Sequence, residues 1–364
     1  MSARKRRGAI IGFGFIAEKG HLPAYLHSEQ LEIVAVADIC AARREAAANA
    51  LPGARIYEDY NAFLTTAGRD LDFIDITTPP YVHASIARAA LDSGLHVMCE
   101  KPLATTVEDA RSAIEQADRS RRVLFPVENY KHAPVIIAVR QLVETGLIGT
   151  VQDVTLSTFR NTHARGVKEW KESWRREKRY AGGGVAMDHG SHTFYLAFEW
   201  LRSYPTSITA KMLTRGSFDT EDTLVGSATF PTGMAAVHLT WNAGVRKVIY
   251  TIHGDRGSIR VEDDDIEVAV MGVPTPHASE ACPAAGPPGR TAWEMKTKKV
   301  ASEWMDAGHA AWFRSMFEQF AAAMDQKDHV GKSAVDALRC IELITTAYES
   351  AKDGSRERRV PHFG

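Results

Sequence analysis

The feature that most constrains this chain is a glycine loop near its start, Gly12-Phe13-Gly14-Phe15-Ile16-Ala17, with the pattern G-x-G-x-x-A. An apolar run at residues 9–11 predicts a strand before it, and a helix is predicted after it. Glycines at these positions allow a tight turn and let a pyrophosphate approach the backbone at the helix N-terminus. The pattern predicts a dinucleotide site that includes Gly12, Gly14, Phe15 and Ile16; a chance glycine turn is the alternative.

The next predicted strand ends at Asp38, about 20 residues beyond the loop, where an acidic side chain accepts hydrogen bonds from the ribose hydroxyls of NAD. The same carboxylate would repel the 2′-phosphate of NADP, so NAD is expected in preference to NADP. Arg43 and Arg44 are expected on the solvated face of the following helix, although an arginine that swings in would accommodate NADP. As a structural alternative, Asp38 only caps that helix.

The pattern of strands and helices divides the chain in two. Up to about residue 128, short β-branched runs alternate with alanine-rich helical stretches, which predicts a parallel sheet covered on both faces. After residue 150, apolar and polar residues alternate between short turns, which predicts a largely antiparallel sheet. We expect an α/β fold: an N-terminal Rossmann domain at residues 1–128 and a C-terminal α+β domain with a large, mostly antiparallel open sheet at residues 129–364. Residues 272–289, rich in proline, are predicted to be a loop.

Composition narrows the partners and compartments to consider. The 44 Lys and Arg residues balance 45 Asp and Glu, and a net charge of -1 gives no whole-molecule attraction to nucleic acid or anionic membranes. The cysteines indicate neither a disulfide framework nor a zinc site, because they are far apart: Cys40, Cys99, Cys282 and Cys340. No apolar run is long enough to span a bilayer. The basic run at residues 4–7 is interpreted as the start of a strand, not as a signal peptide, and a cytoplasmic location is expected.

Further motifs, taken in order, resemble a known family. The first runs from Thr78-Pro79-Pro80 through His83 to Glu100-Lys101-Pro102, and the second is the glycine-rich stretch 182–192 with D-x-x-x-H at Asp188 and His192. Asn129-Tyr130 and Trp174-Arg175 fit the same order. Together they resemble the glucose–fructose oxidoreductase and inositol dehydrogenase family (Gfo/Idh/MocA).

This resemblance implies NAD(P)-dependent hydride transfer to or from a secondary alcohol or ketone of a sugar, an inositol or a related cyclic polyol. It also implies a cis peptide before Pro102 and a homodimer or homotetramer formed through the open sheet. It gives cofactor contacts to Thr78, Pro79, Pro80, His83, Glu100, Lys101 and Asn129. The family's catalytic lysine, aspartate and histidine match Lys101, Asp188 and His192.

The chemistry of these three residues supports that assignment. Asp188 and His192 are four residues apart and share one face of a predicted helix. A carboxylate beside the imidazole is expected to orient it and to favour its protonated form. His192 is then the candidate general base, and the acid in the reverse direction, while Lys101 would stabilise alkoxide charge. Each has a structural alternative: a solvated lysine, a helix cap and a core histidine.

A metal site is a further alternative at the same place. The spacing of Asp188, His189 and His192 could hold zinc. However, His189 is expected to point away from the face that the other two share, and the family uses no metal here. The prediction is therefore that the site holds no metal.

The substrate is the least constrained part of the prediction. Many members of the family have an aspartate three residues after the histidine, where this chain has Tyr195. Trp174 and Arg175 are predicted to bind substrate together with Lys101, Asp188 and His192, because aromatic and arginine side chains suit a sugar ring or an anionic substituent. Glycoside processing through a keto intermediate and a non-catalytic dinucleotide sensor stay open as alternative functions.

Overall fold

The computed structural model describes residues 4–67, 70–271, 293–301 and 309–361. The predicted loop at residues 272–289 and Cys282 lie outside these residues. The first part of the chain forms a six-stranded parallel sheet with the order β3-β2-β1-β4-β5-β6. Its strands are β1 (Arg6–Ile11), β2 (Leu31–Ala37), β3 (Arg55–Tyr57), β4 (Phe73–Ile76), β5 (His96–Cys99) and β6 (Leu124–Pro126).

Helices cover both faces of this sheet, as the alternation in the sequence predicts. Successive residues of β1 point to opposite sides, so Ala9 and Ile11 join one core and Ile10 joins the other. The glycine loop leads into a π-helical turn, Ala17–His21, which continues into the first α-helix. The helices of this part are α1 (Leu22–Leu26), α2 (Ala41–Ala50), α3 (Tyr60–Ala67), α4 (His83–Asp92) and α5 (Val107–Ser120).

The second part forms a nine-stranded sheet with the order β14-β13-β12-β11-β7-β10-β9-β8-β15. Neighbouring strands are antiparallel except β7 and β10, so the predicted, largely antiparallel sheet is confirmed. The predicted turns after residues 230 and 254 do join hairpins, whereas the last three strands have no counterpart in the prediction. The strands are β7 (Val151–Phe159), β8 (Ser207–Leu213), β9 (Thr223–Phe230), β10 (Gly233–Thr240), β11 (Lys247–Gly254), β12 (Gly257–Glu262), β13 (Asp265–Met271), β14 (Trp293–Lys299) and β15 (Arg358–Arg359).

Helices pack on one face of the nine-stranded sheet and leave the other open. Trp200 and Leu343 are buried against that sheet, while Val225 and Met234 on the open side are each 47% exposed. One late helix returns to the parallel sheet, where Phe320 packs edge-on against Phe73 with ring centroids 5.5 Å apart. The helices are α6 (Pro134–Glu144), α7 (Lys178–Ala181), α8 (Val185–Leu201), α9 (Ala310–Gln326) and α10 (Lys332–Lys352). The core of the first predicted domain thus includes α9 from the second.

Two further observations bear on the chain's environment. Among the residues that the structure describes, no helix combines the length and the apolarity needed to cross a bilayer. Cys40, Cys99 and Cys340 are free thiols.

Candidate active site

The carboxyl ends of the parallel strands and the start of α8 border one cavity of about 670 Å³. In a doubly wound sheet, ligands bind at this edge because the strand order reverses there, here between β1 and β4. Most of the residues predicted for the site line this cavity: Gly12, Gly14, Phe15, Ile16, Asp38, Thr78, Pro79, Pro80, Glu100, Lys101, Asn129, Trp174, Arg175, Asp188 and His192. One cleft therefore brings together the predicted cofactor and substrate residues.

The glycine loop has the geometry that a dinucleotide cradle requires. Gly12 has a φ of +92°, and a Cβ there would lie 2.8 Å from Thr78 Cγ2, so glycine fits this turn best. A Cβ at Gly14 would meet no protein atom within 4 Å, which leaves room for a ligand against the backbone. Asp38 ends β2 with both carboxylate oxygens fixed, because Oδ2 accepts the Phe13 N–H at 2.6 Å and Oδ1 accepts the Cys40 N–H at 2.7 Å.

Arg43 does not lie on the solvated helix face, and that expectation was wrong. Its side chain is buried, its Nε donates to the Phe13 carbonyl oxygen at 2.7 Å, and it pairs with Glu18. Arg44 donates to the backbone oxygen of Asp38 at 2.8 Å. The first turn of α2 packs directly against the glycine loop, so helical periodicity alone misplaces both arginines.

Asn129 offers an acceptor that nothing in the protein uses. It lines the cleft, and its Oδ1 is buried with no hydrogen-bond partner among the described residues. A buried acceptor without a partner is costly unless a ligand supplies a donor. This orphaned oxygen, the open cradle at Gly14 and the carboxylate of Asp38 together fit a nicotinamide dinucleotide.

His83 does not line the cleft, although the resemblance gives it a cofactor contact. It is buried, with Nε2 2.6 Å from the Thr78 oxygen and Nδ1 2.8 Å from the Pro102 oxygen. The imidazole thus joins the loop after β4 to the loop after β5. Its place is behind the loops that form the wall of the cleft.

The Glu100-Lys101-Pro102 motif is held by a buried cluster that the sequence analysis missed. The Lys101–Pro102 peptide is cis, as expected. Glu100 Oε1 lies 3.1 Å from His21 Nε2, and His21 Nδ1 lies 2.6 Å from Asp75 Oδ2. Although burial alone would lower it, the negative charges of Asp75 and Glu100 raise the pKa of His21 to about 9. A protonated His21 therefore fixes the acidic residue that precedes Lys101.

Lys101 and Asp188 form the central ion pair of the cleft. Lys101 Nζ donates to Asp188 Oδ1 at 2.7 Å and to the Asp188 backbone oxygen at 3.0 Å. Arg175 Nε lies 3.5 Å from the same Oδ1. Burial favours the neutral acid, but the charges of Lys101 and Arg175 outweigh it and hold the pKa of Asp188 well below its ordinary value. Asp188 is an ionised counterion to both cations.

His192 lies in the same cleft, but its partner differs from the one expected. Its Nδ1 lies 3.0 Å from the Tyr195 hydroxyl, and its ring stacks on Tyr130 with centroids 3.9 Å apart. Burial, then the positive charge of Lys101, holds the pKa of His192 well below its ordinary value. The expectation that Asp188 orients the imidazole and favours its protonated form was wrong, because Asp188 turns toward Lys101.

Glu221 fixes the start of α8 and has no counterpart in the sequence motifs. Its carboxylate accepts the N–H groups of Gly184 and Ala186, each at 2.9 Å, and the Tyr348 hydroxyl at 2.8 Å. A carboxylate at a helix N-terminus satisfies free N–H groups and suits the helix dipole. Glu221 thereby positions the turn of α8 that carries Asp188 and His192.

His189 also lines the cleft, which corrects the expectation that it points away. Its ring centroid lies 6.4 Å from that of His192, and its Nδ1 lies 3.3 Å from Asp188 Oδ2. Within the described ranges, no group of three His, Cys, Asp or Glu side chains is arranged to hold a metal ion.

Trp174 and Arg175 lie in a short 3₁₀ turn, Trp174–Arg176, on the far wall of the cleft. The Arg175 guanidinium lies over the Trp174 ring, 4.2 Å from its centroid. This stacking fixes the direction of the guanidinium beside Asp188. The structure therefore brings both predicted substrate residues to the same end of the cleft as Lys101.

Comparison with known families identifies both parts of the chain. Residues 6–128 match the model of an oxidoreductase family with an NAD-binding Rossmann fold. Residues 136–260 match the C-terminal domain of the same Gfo/Idh/MocA family. The two matches cover the parallel sheet and most of the nine-stranded sheet.

Individual relatives are dehydrogenases that act on different sugars. The chain is 36% identical to a D-apiose dehydrogenase of Paraburkholderia graminis over 41% of its own length and 39% of that protein. It is 29% identical to a D-glucoside 3-dehydrogenase of Escherichia coli over 64% of its length and 69% of that protein. The first of these matches thus spans about two fifths of the relative's length.

The fold as a whole is that of solved enzymes. A levoglucosan dehydrogenase in complex with NADH and levoglucosan superposes with a TM-score of 0.81 and 22% identity. The superposition covers 99% of this chain and 100% of that one. At this identity the likeness concerns the fold.

Proposed function

The chain belongs to the Gfo/Idh/MocA family of NAD-binding oxidoreductases, and from this premise we propose that it transfers a hydride between a nicotinamide cofactor and a secondary alcohol or ketone of a sugar, an inositol or a related cyclic polyol. One observation carries the proposal. Lys101, Asp188 and His192 converge in the cleft that also contains the open glycine loop and the unpartnered oxygen of Asn129.

The proposed cofactor is NAD, with NADP less favoured. Asp38 is fixed where it can accept hydrogen bonds from ribose hydroxyls and repel a 2′-phosphate. Arg43, the cation that could offset this repulsion, already pairs with Glu18 and with the Phe13 carbonyl. The cofactor contacts proposed from the cleft wall are Gly12, Gly14, Phe15, Ile16, Asp38, Thr78, Pro79, Pro80, Glu100, Lys101 and Asn129.

Bound NAD⁺ supplies the hydride acceptor. In this proposal Lys101 stabilises the negative charge that develops on the substrate oxygen as its proton leaves. An ammonium has three donors, and Asp188 takes two of them, one through its backbone oxygen and one through Oδ1. The third donor is available to the substrate. Asp188 keeps the ammonium charged and in place.

His192 is the proposed base for the hydroxyl proton, and the acid in the reverse direction. A base must keep a lone pair toward the substrate, and Nε2 of His192 has no hydrogen-bond partner among the described residues. The ring proton of the neutral imidazole then lies on Nδ1 and is donated to the Tyr195 oxygen, which also accepts the Tyr130 N–H at 3.1 Å. The lowered pKa keeps His192 neutral, hence able to accept a proton.

Organisation and assembly form a second part of the proposal. We propose a division into residues 1–128, which bind the cofactor, and residues 129–364, which bind substrate and form the assembly interface. Exposed Val225 and Met234 on the open face of the nine-stranded sheet support a homodimer or homotetramer built on that face. Sedimentation at micromolar concentration tests this, and a monomer contradicts it. The free cysteines support a cytoplasmic location.

The catalytic proposal is tested by NADH formation from NAD⁺ with a panel of inositols, aldoses, amino sugars and uronic acids. Lys101→Met keeps the stem of the side chain and removes its charge, so kcat should fall about 100-fold or more. Lys168→Met, an exposed lysine outside the cleft wall, is the matched control and should keep its activity.

The outcomes separate the alternative functions. Turnover that Lys101→Met abolishes and Lys168→Met retains supports the dehydrogenase. NADH binding without turnover of any compound contradicts it and favours a sensor. Release of an aglycone from a glycoside without net NADH formation favours glycoside processing through a keto intermediate.

A further inference from the structure

The substrate end of the cleft carries an excess of positive charge. Lys101, Arg160 and Arg175 line it, and Asp188 is the carboxylate that contacts Lys101 and Arg175. Arg165 also lines the cleft, but it pairs with Glu172 at 3.4 Å. Three cations therefore face one unshared carboxylate, and bound NAD⁺ adds the positive charge of its nicotinamide ring.

Arg160 is a buried cation without a carboxylate partner. It follows β7 directly, and its backbone is fixed because its N–H donates to the Thr240 oxygen and its oxygen accepts the Ala243 N–H, each at 2.9 Å. Its Nη1 donates to the carbonyl oxygens of Phe159, at 2.9 Å, and Lys247, at 3.3 Å. No carboxylate in the described part of the chain lies within 4.0 Å of this guanidinium, and its Nε and Nη2 make no hydrogen bond there.

Arg175 is similarly left with a free donor. Its Nη1 donates to the Ala164 oxygen at 3.2 Å, and its Nε faces Asp188, whereas Nη2 makes no hydrogen bond to any residue that the structure describes. The Trp174 ring beneath it holds the guanidinium plane. Two oriented guanidinium groups thus offer donors to the interior of one cleft.

We propose that the substrate carries a carboxylate, as a uronic or aldonic acid does, and that Arg160 and Arg175 bind it. This inference rests on the proposed function and names its substrate class. A neutral polyol would leave two partly buried cations without counterions, which costs free energy. A carboxylate matches the planar fork of a guanidinium and supplies the missing negative charge.

The donor set favours a carboxylate over a phosphoryl group. Phosphate sites in α/β proteins commonly use N–H groups at a helix N-terminus. At the substrate end those groups belong to α8, and Glu221 already occupies the N–H groups of Gly184 and Ala186. The free donors at this end are guanidinium side chains and the Lys101 ammonium.

The test measures binding to the complex of the protein with NADH, by calorimetry, for three pairs that differ in one carboxylate. The pairs are glucuronate with glucose, galacturonate with galactose, and gluconate with glucitol; glucose 6-phosphate is the phosphoryl probe. At least one acid should bind about 10- to 100-fold more tightly than its neutral partner, since hydrogen bonds between charged groups are strong.

Variants connect that preference to the two arginines. Arg160→Gln should weaken binding of the acid about 10-fold and leave the neutral sugar within about twofold. Arg175→Gln provides the same test if Arg160→Gln does not fold. Arg179→Gln is the matched control, because Arg179 is exposed, outside the cleft wall and paired with Glu177.

Equal affinity for acids and neutral partners, or a preference for the 6-phosphate, overturns the inference. A preference for an acid that survives both Arg160→Gln and Arg175→Gln also overturns it. Turnover of the same compounds separates the two proposals. Acids that bind through the arginines but yield no NADH contradict the dehydrogenase while they support the anion site, and rapid oxidation of neutral sugars alone does the reverse.

Discussion

Two clusters of charge meet at the Glu100–Lys101 peptide, and they differ in how far their partners lie within the protein. Behind the peptide, His21 and Asp75 are fully buried and bond to each other, to Glu100 and to the Tyr25 hydroxyl. In front of it, Lys101, Asp188 and Arg175 are partly open to the cleft, and Arg160 and His192 keep nitrogen atoms without partners.

This difference separates charges that hold the fold from charges that await a ligand. The rear cluster is enclosed, so removing a member leaves buried charge without compensation. The front cluster is satisfied only in part, so its remaining donors and acceptors are free for a substrate. We therefore expect substitutions behind the peptide to change stability, and substitutions in front of it to change activity.

The largest expected effect is on turnover, from the front cluster. His192→Asn removes the proposed base, so kcat should fall about 10²- to 10⁴-fold. The free energy of unfolding should change by only about 1 kcal/mol, because the ring stacks on Tyr130 at the cleft wall. Steady-state kinetics on an oxidised substrate and urea unfolding measure the two effects.

His27→Asn is the control for that substitution, because His27 is exposed and far from the cleft. It should leave kcat unchanged. If His192→Asn retains kcat within about threefold of the parent value, His192 is not the base, and the comparison between the clusters loses its functional half.

The next effect is on stability, from the rear cluster. His21→Leu leaves Asp75 and Glu100 as buried carboxylates without a cation, which should destabilise the fold by about 3–5 kcal/mol. The thermal midpoint should fall by several degrees. His27→Leu is the exposed control. A variant with unchanged stability and reduced kcat would reverse the assignment of the two clusters.

The sequence predicts the part of the site that depends on local spacing. The glycine loop, Asp38, Glu100-Lys101-Pro102 and the Asp188/His192 pair each lie within one short motif next to one strand or helix, and all of them line the cleft. The strand-and-helix alternation likewise predicts the parallel sheet, because buried parallel strands have an unmistakable apolar pattern.

The rest depends on contacts between distant residues, which no local pattern contains. His21 reaches Glu100 across 79 residues, and Glu221 caps a helix that begins 36 residues before it. Asp188 and His192 do share a helix face, but a common face does not ensure contact, because the Lys101 charge draws the carboxylate away. Arg43 is misplaced for the same reason: the glycine loop supplies acceptors that helical periodicity does not reveal.

A smaller effect is expected in the pH dependence of stability. The pKa of His21 is raised from 6.5 to about 9 in the folded protein. Its contribution is therefore fully present below pH 6.5 and is lost as pH rises toward 9, by about 3 kcal/mol at most. Unfolding measured across this range should show that slope in the parent protein. His21→Leu should lack it, and a parent protein without the slope contradicts a protonated His21.

The smallest effect, and the one that most sharpens the front cluster, is expected from Tyr195→Phe. The variant removes the acceptor of the His192 Nδ1 proton while the ring stays stacked on Tyr130. We expect kcat to fall about 3- to 10-fold, because the imidazolium formed on proton uptake loses a hydrogen bond. Tyr57→Phe, in the parallel-sheet part and outside the cleft wall, is the matched control.

The pH profile of that variant reports which nitrogen of His192 faces the substrate. In the parent, the acid limb of kcat/KM should lie well below pH 6.5, because the pKa of His192 is lowered. If Nδ1–H donates to Tyr195, the hydroxyl stabilises the charged ring, and its loss in Tyr195→Phe moves the limb to still lower pH. If the hydroxyl donates instead, its loss moves the limb upward. Nε2 would then carry the proton, and His192 could not accept one from the substrate.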